Sequence, residues 1–317
     1  MKLDLIIATH NRAMLLTRLL ESLRAAERPP ELSVRVIVVD NNSTDGTREA
    51  VLSQKAILDH PVLYVFEAKQ GKTAALNRGL KEIEGDLVGF LDDDEEVDKK
   101  WLRTIHRAFQ DPSIDFISGP YRPNWGAEPP KWLPKSYPAV IGWIDPGNHV
   151  LKYGDDYDGI MMGGNAIVRR AFIDRVGPFN LDLGRTAERL TTGEDADYHE
   201  RLVAAGARGY YLPDLVIYHY IPPERLTKRY HRRWCFYRGI SLAHIDRARR
   251  QPVRYFLGVP RYLFGDAARG VLTLARAAGQ RALDSEHAFS SELRLWDLAG
   301  FLYGKYFVRP PRRAAAG

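Results

Sequence analysis

The chain has 317 residues, 45% of them hydrophobic and 27% charged, and a formal net charge of +6. That size and balance exclude wholesale disorder and leave room for one large domain with an appendage. A single cysteine, Cys235, rules out an intrachain disulfide and fits a reducing compartment, so a cytoplasmic location is expected.

The first apolar run, Leu3–Ala8, is too short, and with Asp4 too acidic, for a signal-peptide core; it predicts a first strand. Val34–Val39, Val62–Phe66 and Leu87–Leu91 are further short β-rich runs of the kind buried on both faces of a parallel sheet. Between them, helical spacing runs through Met14–Arg24, Asp45–Lys55 and Thr73–Ile83. Such alternation predicts right-handed crossovers and an open, mostly parallel α/β sheet. A helix over Trp101–Phe109 and a short strand over Asp115–Ser118 follow.

From Pro120 to Asp158 the texture changes, with Pro, Gly, Trp and Tyr accumulating and no period sustained. These aromatics could stack on sugar rings or pack a loop onto the body. Regular structure is expected again at Ile160–Val168, in a helix over Asp195–Ala205 and in a strand over Leu215–Tyr220. The boundaries expected are 1–222 for a catalytic domain, with halves near 1–119 and 120–222, and 223–317 for a helical tail. The tail is basic: from Arg225 onward 19 Lys and Arg face 6 Asp and Glu, a net of +13, which leaves −7 for the rest. The last residues, PPRRAAAG, are expected to fray.

In an open α/β sheet, ligands bind beyond the carboxyl ends of the strands. The first strand delivers Thr9, Asn11 and Arg12 there, the second Asp40 to Asp45, and the fourth Asp92, Asp93 and Asp94. Two tempting motifs fail. GKT at Gly71–Thr73 lacks the earlier glycine of a phosphate loop, where Phe66 stands. DNNSTDG has Asp45 where a calcium loop needs Gly, and Val51 where it needs Glu. The acidic run FLDDDEEV instead offers hard oxygen ligands suited to Mg or Mn. Within it, Glu95 and Glu96 are expected to be the solvated start of the next segment. Glu194 and Asp195 open a predicted helix, where one acid would cap and two point to a general base. His219, at a strand end, is a candidate third metal ligand.

The ordered series LIIATHNR, VVDNNSTDGT, GKTAALNRGL, GFLDDDEEV, MGGNAIVRR and TGEDADYHERL resembles glycosyltransferase family 2, inverting enzymes of the GT-A fold. The resemblance implies a nucleotide-sugar donor, a UDP-sugar first, with Thr9, Asn11, Arg12, Asp40, Lys72, Asn77, Asp92 and Asp93 around it. It implies Asp94, with Asp92, on a Mn or Mg ion, Asp195 as catalytic base with Glu194 beside it, and Gly163, Gly164 and Asn165 lining the sugar and acceptor pocket. The acceptor would be a glycan or a lipid-linked sugar, and single addition is expected, because the RRW at 232–234 is not the full motif of processive synthases. A sugar-nucleotide nucleotidylyltransferase would need a Gly-rich basic loop near the start, which ATHNR does not supply. A nucleic-acid-binding reading of the basic tail leaves the acidic front without a purpose, so no nucleic-acid partner is expected.

No window holds the ~18 uninterrupted apolar residues of a spanning helix. Pro260–Ala282, drawn on a helical wheel, gathers Leu263, Phe264, Ala267, Val271, Leu274, Ala275 and Ala278 within about 200–320°. Arg261, Arg269 and Arg276 fall on the other side. This predicts either a helix docked on the body or one lying on an anionic membrane surface.

Overall fold

A computed structural model describes residues 1–308 except 56, 182, 185–192 and 249–251, so the expected fraying of 310–317 lies outside the described residues. The chain divides into two units: residues 1–124 with 142–220, and residues 125–141 with 221–317. The segment 125–141, placed by sequence in the acceptor half, thus groups with the tail.

The first unit opens with β1 (Lys2–Thr9), α1 (Ala13–Ala25), β2 (Ser33–Asp40), α2 (Thr47–Lys55), β3 (Val62–Phe66), α3 (Lys72–Leu80) and β4 (Leu87–Asp92). Next come β5 (Glu95–Val97), α4 (Trp101–Ala108), β6 (Phe116–Ser118), β7 (Tyr121–Trp125) and β8 (Leu151–Lys152). Then follow β9 (Asn165–Arg169), α5 (Arg170–Val176), α6 (Glu194–Ala204), β10 (Gly209–Tyr211) and β11 (Ile217–Ile221). One eight-stranded sheet runs β3-β2-β1-β4-β9-β6-β10-β8. Pairing is parallel through β3, β2, β1 and β4, and again between β6 and β10; β9 runs antiparallel to both its neighbours. The Ile160–Val168 run therefore yields a strand only from Asn165, and as an antiparallel insert.

The strands read as unbroken apolar runs because both faces are covered. Leu5 and Ile7 point into one core with Leu16, Leu19, Leu20 and Leu23 of α1; Ile6 points into the other with Ala75 and Leu76 of α3. The spacing of the α1 leucines gives one helical stripe to bury. Asp4 breaks the pattern without leaving the strand. It is 3% exposed, takes two bonds from Arg35 on β2 at 2.8 and 2.9 Å, and accepts the Gly85 amide at 2.7 Å. Burial pushes its carboxyl up, but these donors outweigh burial and hold it below the usual carboxylate range.

The second unit is helical: α7 (Lys228–Ala248), a hairpin of β12 (Tyr255–Phe256) and β13 (Val259–Pro260), α8 (Arg261–Gly279) and α9 (Glu286–Tyr306). No described helix is long and apolar enough to cross a membrane. Trp132 and Tyr137 of the proline- and aromatic-rich segment pack against Cys235, Phe289 and Leu293, so these two serve packing. In α8 the buried residues are Leu263, Ala267, Gly270 and Ala277, while Val271 is exposed. The buried stripe is therefore rotated from the wheel's apolar face. Gly270 explains the rotation: a Cβ there would stand 2.6 Å from the Ser291 carbonyl of α9, so the helices meet where the side chain is absent.

Candidate active site

The sheet register brings the polar clusters together. Thr9 at the end of β1 lies level with Asp40 at the end of β2, and Ala8 lies level with Asp92 at the end of β4. Asp40 is buried; its carboxylate accepts the Ser43 amide at 2.8 Å and the Tyr64 hydroxyl at 2.8 Å. Asn11, at φ 53°, accepts the Thr44 amide at 2.7 Å, which ties the β1 and β2 loops. Asn41 accepts the Gly71 amide at 2.8 Å and donates to the Lys69 carbonyl at 2.7 Å, fixing the entry to α3.

Among the described residues, Arg12 and Lys72 face the three aspartates of the acidic run. Arg12 reaches Asp93 at 2.7 Å and Asp94 at 3.1 Å, and both carboxylates are buried. Burial pushes Asp93 up to about 6, with Asp94 adding to the push and Arg12 opposing it. Lys72, the first residue of α3, reaches Asp92 at 2.7 Å. Burial lowers the Lys72 ammonium, but Asp92, Asp195 and Glu194 together hold it above its ordinary value. Lys72 thereby links the end of β4 to the acids of α6.

Glu95 departs from expectation. It is 2% exposed, not solvated, and its Oε2 accepts the Asp92 amide at 2.9 Å. Its Oε1 is buried with no hydrogen-bond partner among the described residues. Burial, then Asp92 and Asp94, push its carboxyl well above the usual range. The cause is strand alternation: in β5, Glu95 and Val97 point inward while Glu96 points out, bonded to Arg18 and to Asn124 at 2.9 Å.

The start of α6 is not a side-chain cap. The capping position is Gly193, at φ 120°, and Glu194 and Asp195 lie inside the first turn. Asp195 Oδ1 is buried and has no hydrogen-bond partner among the described residues. Burial, then Glu194 and Asp92, push Asp195 up to about 6, with Lys72 opposing. A carboxylate so tuned is ionised at neutral pH yet more basic than usual, which suits a general base.

Gly163 and Gly164 make this closeness possible. A Cβ at Gly163 would lie 2.3 Å from Asp195 Oδ1, and one at Gly164 2.2 Å from Glu95 Oε1 and 3.0 Å from Asp92 Oδ2. Tyr121 donates to the Met162 carbonyl at 3.0 Å on the same segment; sequence offered no reason to single it out. His219 stands opposite Glu95 in the β5–β11 pair, its Nε2 3.6 Å from Asp94 Oδ2.

Asn165, expected in the sugar and acceptor pocket, and Asn77, expected near the donor, both make structural hydrogen bonds. Asn165 is fully buried, accepts the Trp101 indole N–H at 2.9 Å and donates to the Leu215 carbonyl at 2.7 Å. Its amide holds sheet and helix together and does not face the acids. Asn77 exchanges bonds of 2.9 and 2.7 Å with the Phe179 backbone, and Thr73 donates to the Leu183 carbonyl at 3.1 Å. α3 thus secures the segment that leads toward α6.

Residues 4–177 match the family model for Glycosyl transferase family 2, more than half of the chain. The chain belongs to that family. Among this glycosyltransferase's relatives, the succinoglycan biosynthesis protein ExoM of Rhizobium meliloti is 27% identical over 226 residues, 71% of this chain and 69% of that protein. A glucosyl-dolichyl phosphate glucuronosyltransferase of Haloferax volcanii is 25% identical over 202 residues, 62% and 61% of the two chains. The mannosyltransferase PcManGT from Pyrobaculum calidifontis, solved in complex with GDP-Man and Mn2+, superposes with a TM-score of 0.64 at 22% identity. That match covers 96% of this chain and 87% of the other, and it gives the fold as GT-A.

Proposed function

We propose that this glycosyltransferase moves a sugar, with inversion, from a nucleotide-diphosphate donor to a hydroxyl of a glycan or lipid-linked acceptor in polysaccharide or glycolipid synthesis. The observation that carries the reading is Asp195: a carboxylate pushed up to about 6, one oxygen unpartnered, coupled through Lys72 to Asp92 at the donor strand ends. Solved neighbours that hold GDP-Man or UDP-GlcNAc support a nucleotide-sugar donor, and relatives named for dolichyl phosphate and undecaprenol substrates support a lipid-linked acceptor.

In this reading Asp195 takes the proton of the acceptor hydroxyl, whose oxygen attacks the anomeric carbon as the diphosphate departs from the opposite face. Thr9, Asn11, Arg12 and Asp40 form the nucleotide end, and Lys72 offsets charge near the diphosphate. Asp94 Oδ2 and His219 Nε2, 3.6 Å apart, are donors that Mn or Mg takes, but among the described residues no group of three or more such side chains gathers at one point, so an ion held by these two would need donor phosphates and water to complete its shell. Asp92 is turned to Lys72. Bound there, the ion would neutralise charge gathering on the leaving diphosphate.

The test is a thermal-shift screen of UDP, GDP and their sugars with and without Mn, followed by NMR of the product's anomeric proton. Stabilisation by a nucleoside diphosphate and an inverted centre are expected. Retention of configuration would remove the single-displacement mechanism.

A further inference from the structure

The hairpin between α7 and α8 carries an anomaly. Its two turn residues, Leu257 at φ 46° and Gly258 at φ 67°, both lie in the left-handed region, as the tightest hairpin turn requires. Asn or Gly normally fills the first of these positions, because a branched apolar side chain is strained there. Here it is Leu257, 73% exposed at the apex, with Phe256 exposed beside it.

The last turn of α9 holds this tip in place. The Tyr306 hydroxyl donates to the Leu257 carbonyl, and the Lys305 ammonium to the Gly258 carbonyl. Phe307, 76% exposed, stacks on Tyr303 with ring centroids 5.8 Å apart, extending the apolar surface from the tip along α9. The residues from Arg247 to Arg261 and from Lys305 to the end of the chain include nine Lys and Arg and no Asp or Glu.

We propose that this surface docks on an anionic lipid bilayer: Leu257, Phe256 and Phe307 enter the headgroup boundary while the exposed Arg254 and Arg261, joined at the base of the hairpin by a 2.8 Å backbone bond, meet lipid phosphates. An exposed apolar tip flanked by cations matches the chemistry of that interface. A second copy of the same surface would bring its own excess of positive charge. A nucleic acid would meet the cations but leave the apolar tip in water. The inference deepens the lipid-linked acceptor reading and moves the contact from the face of α8 to the hairpin and the end of α9.

The test uses the full chain and flotation with vesicles of phosphatidylcholine alone or with about one third phosphatidylglycerol. Binding is expected only to the anionic vesicles, weakened roughly tenfold or more between low and high salt. Leu257→Asn, which favours the turn, combined with Phe307→Ser should cut that binding roughly tenfold without lowering the melting temperature. Wild-type protein that stays off anionic vesicles, or a double variant that binds them as well as wild type, overturns the proposal. So does a wild-type dimer that the double variant dissociates, or single-stranded RNA binding lost with the same changes. No donor is present in the flotation, so its failure is separate from failure of the nucleotide screen.

Discussion

The two units handle buried charge in opposite ways. In the helical unit, Arg238 makes a bidentate pair with Asp297, 2.9 Å on one side, and Tyr137 donates to the same carboxylate at 3.2 Å. Arg232 pairs with Glu292 in the same fashion. Each of these two acids has its own guanidinium, while buried Asp246 accepts the Tyr255 hydroxyl. Among the described residues, Asp92, Asp93, Asp94, Glu95, Glu194 and Asp195 at the strand ends of the catalytic unit gather around Arg12 and Lys72, and buried oxygens of Glu95 and Asp195 have no partner there. A balanced pair holds a fold together. An unbalanced cluster raises carboxylate pKa values and is tolerable where a ligand, ion or proton completes it.

The largest test of this contrast is Asp195→Asn. Removing a general base is expected to lower turnover about 10²–10⁴-fold. Donor affinity by calorimetry should hold, because the change removes charge from the acceptor side. Undiminished turnover would take the base role from Asp195. Asp297→Ala is the matching change in the other unit. It leaves Arg238 without its carboxylate and should destabilise by about 2–3 kcal/mol, below the full value for a buried pair because the guanidinium is about one-third exposed. Chemical denaturation measures this, and donor affinity of the folded fraction should be unchanged.

Much of the catalytic unit was legible in the sequence because its strands are buried on both faces and end in polar clusters. The alternation of strand and helix predicts an open, mostly parallel sheet, and the order β3-β2-β1-β4 brings Thr9, Asp40 and Asp92 to one edge. What stayed hidden depends on side-chain direction. Glu95 reads as a solvated acid until β5 is seen pairing with β11, which turns alternate residues inward. Asn165 sits in a motif that names a pocket, yet its amide is bonded to Trp101 and Leu215, contacts 64 and 50 residues away. The α8 wheel was rotated by Gly270, since the wheel weighs side chains and the helix contact formed where one is missing.

The pH dependence follows from the same imbalance. The proposed base role requires an ionised Asp195, whose carboxyl is pushed up to about 6. The acid limb of kcat/KM should therefore bend near pH 6, falling about tenfold per unit below it and flattening above about 7. A limb near pH 4 would mean that acceptor or donor restores Asp195 to an ordinary carboxyl.

The smallest effect is the most discriminating. Glu95 has a native pKa raised well above its unfolded value, so the folded chain loses stability as pH rises through that interval. Glu95→Gln keeps an oxygen to accept the Asp92 amide and removes the titration. Without ligand, the variant should gain on the order of 1 kcal/mol at pH 7 and little or nothing at pH 4. Destabilisation at pH 7 would show that the carboxylate is needed as a charge by Arg12 or Lys72. A stable variant whose donor affinity falls only when Mn is present would make Glu95 part of the ion's surroundings. The first outcome would make the cluster a structural network like that around Asp297, and the second would leave its surplus charge tied to the ligand.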